Sequence, residues 1–149
     1  MEEARRSAEL WAQTYPRDFE PAVTLGWIYS NLGQYDKALL AKREALRLDP
    51  ASGLSYANLV GGYINLNRFE EARATAEEAQ MNKLDSPTLR LFLYMLAFLN
   101  NQTEGMAQQV AWAANKPGWE DGLLFWEADT AAYSGRLAKA RGLSRRAMD

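Results

Sequence analysis

Residues 22–38 read Ala22-Val23-Thr24-Leu25-Gly26-Trp27-Ile28-Tyr29-Ser30-Asn31-Leu32-Gly33-Gln34-Tyr35-Asp36-Lys37-Ala38. Ala22, Leu25, Gly26 and Tyr29 fall at i, i+3, i+4 and i+7, the spacing of one helix face, and strand alternation is absent. Gly33 then stands where a chain must leave one helix and enter the next, a position that favours residues tolerant of positive φ. The stretch predicts a helix, a tight turn and a second helix.

Outward from it the same unit recurs. Pro16 and Pro50 are separated by 50 − 16 = 34 residues, and the same step joins Ala4, Ala38, Ala72, Met106 and Ala140. It also joins Trp11, Ala45, Ala79, Ala113 and Ala147, then Leu25, Leu59 and Leu93, then the turn residues Gly33, Asn67, Asn101 and Gly135. A fixed period of this size is the signature of stacked helical hairpins, each too small to bury its own apolar face. The expectation is an all-α chain: an opening helix to about Thr14, then pairs near 19–32 with 36–48, 53–66 with 69–82, 87–100 with 103–115, and 119–134 with 136–148. Asp18 before Pro21 and Ser86 before Pro87 are the expected N-caps, and Asn115, Lys116, Pro117 and Gly118 form the clearest break. One array is expected over 1–149: residues 1–18 as the second helix of an incomplete repeat, then repeats at 19–52, 53–86, 87–120 and 121–149. Met1 opens inside a second helix and Asp149 aligns with Arg47, so a longer parent array is expected.

Composition narrows the function. In 149 residues, 48% hydrophobic content supplies a core, while no apolar run reaches membrane-spanning length and the start, Met1 to Arg6, is charged rather than signal-like. No membrane association and a cytoplasmic address are the expectations. Zero cysteines exclude disulfides and thiolate metal sites, and zero histidines remove the commonest general base and imidazole ligand. A net charge of −2 gives no basic footprint for nucleic acid. The neighbouring carboxylates Glu70 and Glu71, Glu77 and Glu78, and Glu127 and Asp129 diverge on a helix. No catalytic, cofactor-binding or metal-ligating residue is therefore assigned, no cofactor is expected, and an enzyme is the remote alternative.

Leu25, Gly26, Tyr29, Gly33, Tyr35, Ala38, Ala45 and Pro50 together resemble the tetratricopeptide repeat signature. The second period keeps Tyr56, Leu59, Tyr63, Phe69, Ala72 and Ala79 but departs at Val60 and Leu84. The later periods hold Asn101, Ala113, Gly135, Ala140 and Ala147 and depart at Thr103, Met106 and Glu127. More loosely, Leu10 to Asp49 and Ala131 to Asp149 resemble arrays appended to bacterial serine/threonine kinases of eukaryotic type and to some bacterial transcriptional regulators. The glycine-rich loop, His-Arg-Asp and Asp-Phe-Gly of a kinase are absent.

The tetratricopeptide resemblance implies a right-handed superhelical solenoid of antiparallel helix pairs whose first helices line a concave partner-binding groove. Carried over residue by residue, that groove comprises Val23, Trp27 and Asn31, then Leu54, Ile64 and Asn65, then Leu91, Met95 and Phe98, and last Phe125, Asp129 and Tyr133. The expected partner is a protein or peptide with apolar or aromatic side chains. The alternatives are that a tight superhelix buries this face on itself, or that the chain is a structural module self-associating weakly through terminal helices at Leu137, Leu143 and Met148. A carboxylate clamp is disfavoured, because only Arg90 of 17 Lys and Arg residues lies on a first helix. The cations of the second helices, Lys42, Arg43 and Arg47, then Arg136, Lys139, Arg141, Arg145 and Arg146, are expected to form a solvated face, with an acidic partner as the lesser reading. Ala4, Ala38, Ala72 and Ala140 are scaffold positions where helix axes approach, and Tyr29 and Tyr63 are expected to be buried.

Overall fold

The computed structural model describes residues 1–116 and 118–148; Pro117, from the expected break, and Asp149, from the last expected repeat, lie outside the described residues. Among the described residues there are nine helices and no strand: α1 (Glu2–Thr14), α2 (Glu20–Asn31), α3 (Tyr35–Leu48), α4 (Gly53–Asn65), α5 (Phe69–Met81), α6 (Pro87–Leu99), α7 (Thr103–Ala113), α8 (Glu120–Tyr133) and α9 (Leu137–Arg146). Each bound falls within two residues of its expectation.

The turns explain why. Gly33, Asn67, Asn101 and Gly135 all adopt left-handed backbone, with φ of 70°, 57°, 54° and 74°. At each, the residue's own N–H donates to the carbonyl three back (Ser30, Ile64, Phe98, Ala132), and the next N–H donates to the carbonyl five back (Tyr29, Tyr63, Ala97, Ala131), all at 2.8–3.1 Å. These bonds satisfy carbonyls that a helix end leaves free. A Cβ added at Gly33 or Gly135 would meet nothing within 4 Å, so the glycines serve the dihedral angle rather than close packing.

The chain forms two compact units, Met1–Leu89 and Arg90–Asp149. In the first, α1 packs on α2, α2 on α3, α3 on α4 and α4 on α5. Ala38, Ala45, Ala72 and Ala79 are all buried, as close helix contacts require. Ala4 is not, contrary to expectation: α1 meets α2 through Ala8, 3% exposed, and Ala4 faces water. Tyr63 is buried and its hydroxyl accepts from the Arg43 guanidinium at 3.0 Å. Tyr29, one period earlier, is only half-buried, and its hydroxyl donates to Glu9 at 3.0 Å. Glu9 and Arg43 are also one period apart, so the tyrosine contact repeats while its polarity inverts.

Asp18 stands one residue further out than a cap, since Phe19 precedes the first turn of α2. Its carboxylate accepts from the Glu20 N–H and the Trp11 indole, both at 3.0 Å, tying α1 to the start of α2. Ser86 behaves as expected, its Oγ accepting from the Leu89 N–H at 3.2 Å.

In the same unit Lys42 runs between two glycines. A Cβ on Gly26 would lie 2.9 Å from its Cγ, and one on Gly62 would lie 3.1 Å from its Cδ. The stem thus fills space that α2 and α4 leave vacant, and burial lowers the pKa of the ammonium, for which no acidic partner exists among the described residues.

In the second unit α7 packs on α8 and α8 on α9. Leu124, Ala128, Ala131, Ala140 and Leu143 make one core cluster, and Tyr94, Ala113 and Leu123 another, against which Met106, Val110, Trp112 and Trp126 lie half-buried. Ala140 occupies its close-contact position at 8% exposure. Leu143, expected on an open terminal face, is instead inside the α8–α9 core at 7% exposure, whereas Leu137 and Met148 are open.

Two predictions follow from this packing. Ala72→Leu is expected to cost about 1–3 kcal/mol by overfilling a site with no accessible surface, while Ala74→Leu on the exposed side of α5 stays within about 0.5 kcal/mol; urea denaturation of both variants checks this. For Lys42, the folded pKa lies below the unfolded value of 10.5, so between the two the unfolded chain holds more protons and stability rises with pH. Lys42→Met keeps the stem without the charge. It is expected to unfold at higher urea than wild type at pH 7 and to lose that alkaline gain; an unchanged pH slope would refute the assignment.

Candidate functional site

In the first unit the first-helix face is built on α2 and α4. Trp27 is 61% exposed and Leu54 53% exposed, with Val23 half-buried and Asn31 and Asn65 open. Asn31 Nδ2 donates to the Trp27 carbonyl at 2.9 Å, so part of its amide is spent on its own helix end. Ile64 departs from its expected groove position. It is 7% exposed, because α4 is flanked by both α3 and α5 and nine of its thirteen residues are buried.

The second unit forms a better-defined cavity. Met95, Phe98 and Leu99 of α6 face Trp126, Asp129, Thr130 and Tyr133 of α8 across a cleft of about 280 Å³. Phe98 meets Tyr133 edge to face, centroids 5.5 Å apart and planes at 85°, a favoured aromatic geometry. Tyr133 is nonetheless 84% exposed, so this contact holds a ring that is mostly in water. Phe125 is open as well, while Leu91 turns inward to the Tyr94 cluster. Met95, Phe98, Asp129 and Tyr133 are thus brought together as the repeat register implied, and Leu91 and Phe125 lie outside the cleft wall.

Trp126 and Thr130 were not in the groove set, although Trp126, Asp129 and Tyr133 have the i, i+3, i+7 spacing that signals one face. Thr130 has a structural task. Its hydroxyl donates to the Trp126 carbonyl at 3.1 Å and accepts from the Tyr94 hydroxyl at 2.7 Å. Burial pushes the Tyr94 phenol above its ordinary pKa, which keeps it a neutral donor.

Charge is sparse on these faces. Arg90 stacks on Trp112, 5.0 Å from the ring centre, and bonds Gln109 Oε1 at 3.1 Å. Asp129 is exposed and makes no hydrogen bond or ion pair among the described residues. Of the five cations at 136–146, Lys139 pairs with Glu127 at 2.7 Å and Arg146 with Glu120 at 3.4 Å. Among the carboxylates considered for acid–base work, Glu71 is held by Arg68, Glu78 by Tyr56 and Glu127 by Lys139. Each has its own partner rather than a shared reaction centre.

These features define an all-α protein of helical hairpins closed by identical turns at a 34-residue interval. Residues 20–52 match the family model described as a tetratricopeptide repeat, a match over one period that supports the reading of the chain as a tetratricopeptide repeat protein. No curated protein matches the chain. Tetratricopeptide repeats generally mediate protein–protein interaction and are typically non-catalytic scaffolds. Among the described residues, no helix is long and apolar enough to cross a membrane.

Proposed function

We propose that this chain binds a partner polypeptide on the sparsely charged, aromatic faces of its first helices, with the α6–α8 cleft as the principal anchor site. The observation that carries this reading is the cleft itself: an apolar cavity framed by Phe98, Trp126 and Tyr133, in a family whose usual task is protein recognition. Rings held open to water at Trp27, Phe125 and Tyr133 extend the same character. A soluble surface that keeps such groups exposed gains from a partner that covers them. Asp129 supplies one unpaired acceptor at the cleft, which suits an apolar partner side chain followed by a neutral donor such as an amide.

Affinity then arises mainly from apolar burial. At about 25 cal/mol per Å², a ring contributing on the order of 100 Å² supplies roughly 2.5 kcal/mol before ordering costs. Exposed Leu137 and Met148 support self-association as the second reading, which a light-scattering concentration series separates from the first.

Peptides selected from a random library against the whole chain are expected to be enriched in aromatic and aliphatic residues. Trp27→Ala and Tyr133→Ala are each expected to weaken the selected peptides by about 1–3 kcal/mol, and Arg145→Ala by little. Raising salt should change affinity only slightly, because the contacts lack a long-range Coulomb component. Binding that survives both aromatic substitutions, yet collapses when Arg145 and Arg146 are neutralised, would move the site to the basic second helix.

A further inference from the structure

In the first unit the seam between α3 and α4 is filled. Leu39 Cδ1 and Lys42 Cδ lie 3.3 and 3.1 Å from where a Cβ on Gly62 would stand. Two periods later, 2 × 34 = 68 residues on, α7 carries Ala107 and Val110 at the Leu39 and Lys42 positions. Ala111 and Ala114 likewise replace Arg43 and Leu46, and on the facing helix Glu127 and Thr130 replace Leu59 and Gly62. The side chains that would close the seam are short, and a trough of about 530 Å³ remains along α7 in the second unit.

Its lining is graded from end to end. Thr103, Met106, Ala107, Val110 and Ala111 fall on one face of α7, spanning about 12 Å at 1.5 Å per residue, and Ala114 continues the lining just past the helix end. One end is the turn end, where Asn101, Thr103, Ser134 and Arg136 gather as α7 and α9 begin. Arg136 makes no ion pair among the described residues, and helix N-termini add further positive potential there. Further along, Glu127 and Lys139 neutralise one another at 2.7 Å. The far end is valine and alanine.

We infer that this trough is a second binding site, taking a small amphipathic carboxylate whose unbranched acyl chain lies along α7 and whose head group pairs with Arg136. The site is separate from the α6–α8 cleft, although Phe98 and Thr130 line both.

The test is calorimetric titration of the intact chain with decanoate, decanol and decyltrimethylammonium, each kept below its micellar range. Decanoate is expected to bind most tightly, and decyltrimethylammonium not at all. Arg136→Gln, at an exposed residue, should weaken decanoate about tenfold, the scale of one charge-assisted contact, and leave decanol unchanged. Ala107→Leu with Ala111→Leu, both on exposed positions, should abolish binding of both, with helicity verified by circular dichroism. Tyr133→Ala, which alters the α6–α8 cleft but not the trough lining, should leave decanoate binding intact, which keeps this site distinguishable from the polypeptide-binding cleft. Equal affinity for decanoate and decyltrimethylammonium, or an Arg136→Gln chain that binds decanoate as wild type does, would overturn the assignment.

Discussion

A left-handed residue two positions after each first helix governs this structure. With Gly33, Asn67, Asn101 or Gly135 at positive φ, two consecutive N–H groups fold back onto carbonyls of the helix just completed, and the chain leaves in the reverse direction. An ordinary side chain in that conformation costs roughly 1–2 kcal/mol, which limits the position to glycine and asparagine. Because the turn is identical each time, the second helix of every pair starts in the same register, at Tyr35, Phe69, Thr103 and Leu137. Three residues later, Ala38, Ala72 and Ala140 are then presented to the first helix where the axes are closest, with Met106 taking that position in the third pair.

Identical backbones can still carry different seams. Between α3 and α4, leucine and a lysine stem occupy the space that Gly26 and Gly62 leave open, at the cost of partly burying a charge. Between α7 and α8 the corresponding side chains are alanine and valine, and polar groups replace leucine and glycine on the facing helix. The repeat therefore fixes where helices run, while side-chain size at four positions of the second helix decides whether their junction is solid or hollow.

Helix positions were legible because turn residues and apolar spacing both recur at 34 residues, and two independent periodicities constrain each boundary. Exposure within a helix was less legible. Ile64 and Phe98 share a register position, yet Ile64 is buried by its flanking helices while Phe98 reaches the wall of a cleft. Leu143 looked like a terminal apolar residue and proved to be core, since α9 turns that face onto α8. Asp18 was recognised as a helix-start residue, but its bond to the Trp11 indole depends on a partner seven residues away that no capping pattern specifies. The trough along α7 was invisible for another reason: it arises from what is missing at Ala107, Ala111 and Ala114, and alanine by itself reads as packing.

The turn bonds reach back at most five residues, so each hairpin can close with very little loop entropy to overcome. Contacts of such short sequence separation favour rapid folding, and hairpins can order in the sequence in which they are synthesised. A ribosome delivering residues at about 5–20 per second would release one complete helix pair every few seconds, each able to form before the next emerges. Vectorial synthesis and assembly order would then coincide, leaving the apolar residues that one hairpin buries against the next uncovered only for the time taken to translate one repeat.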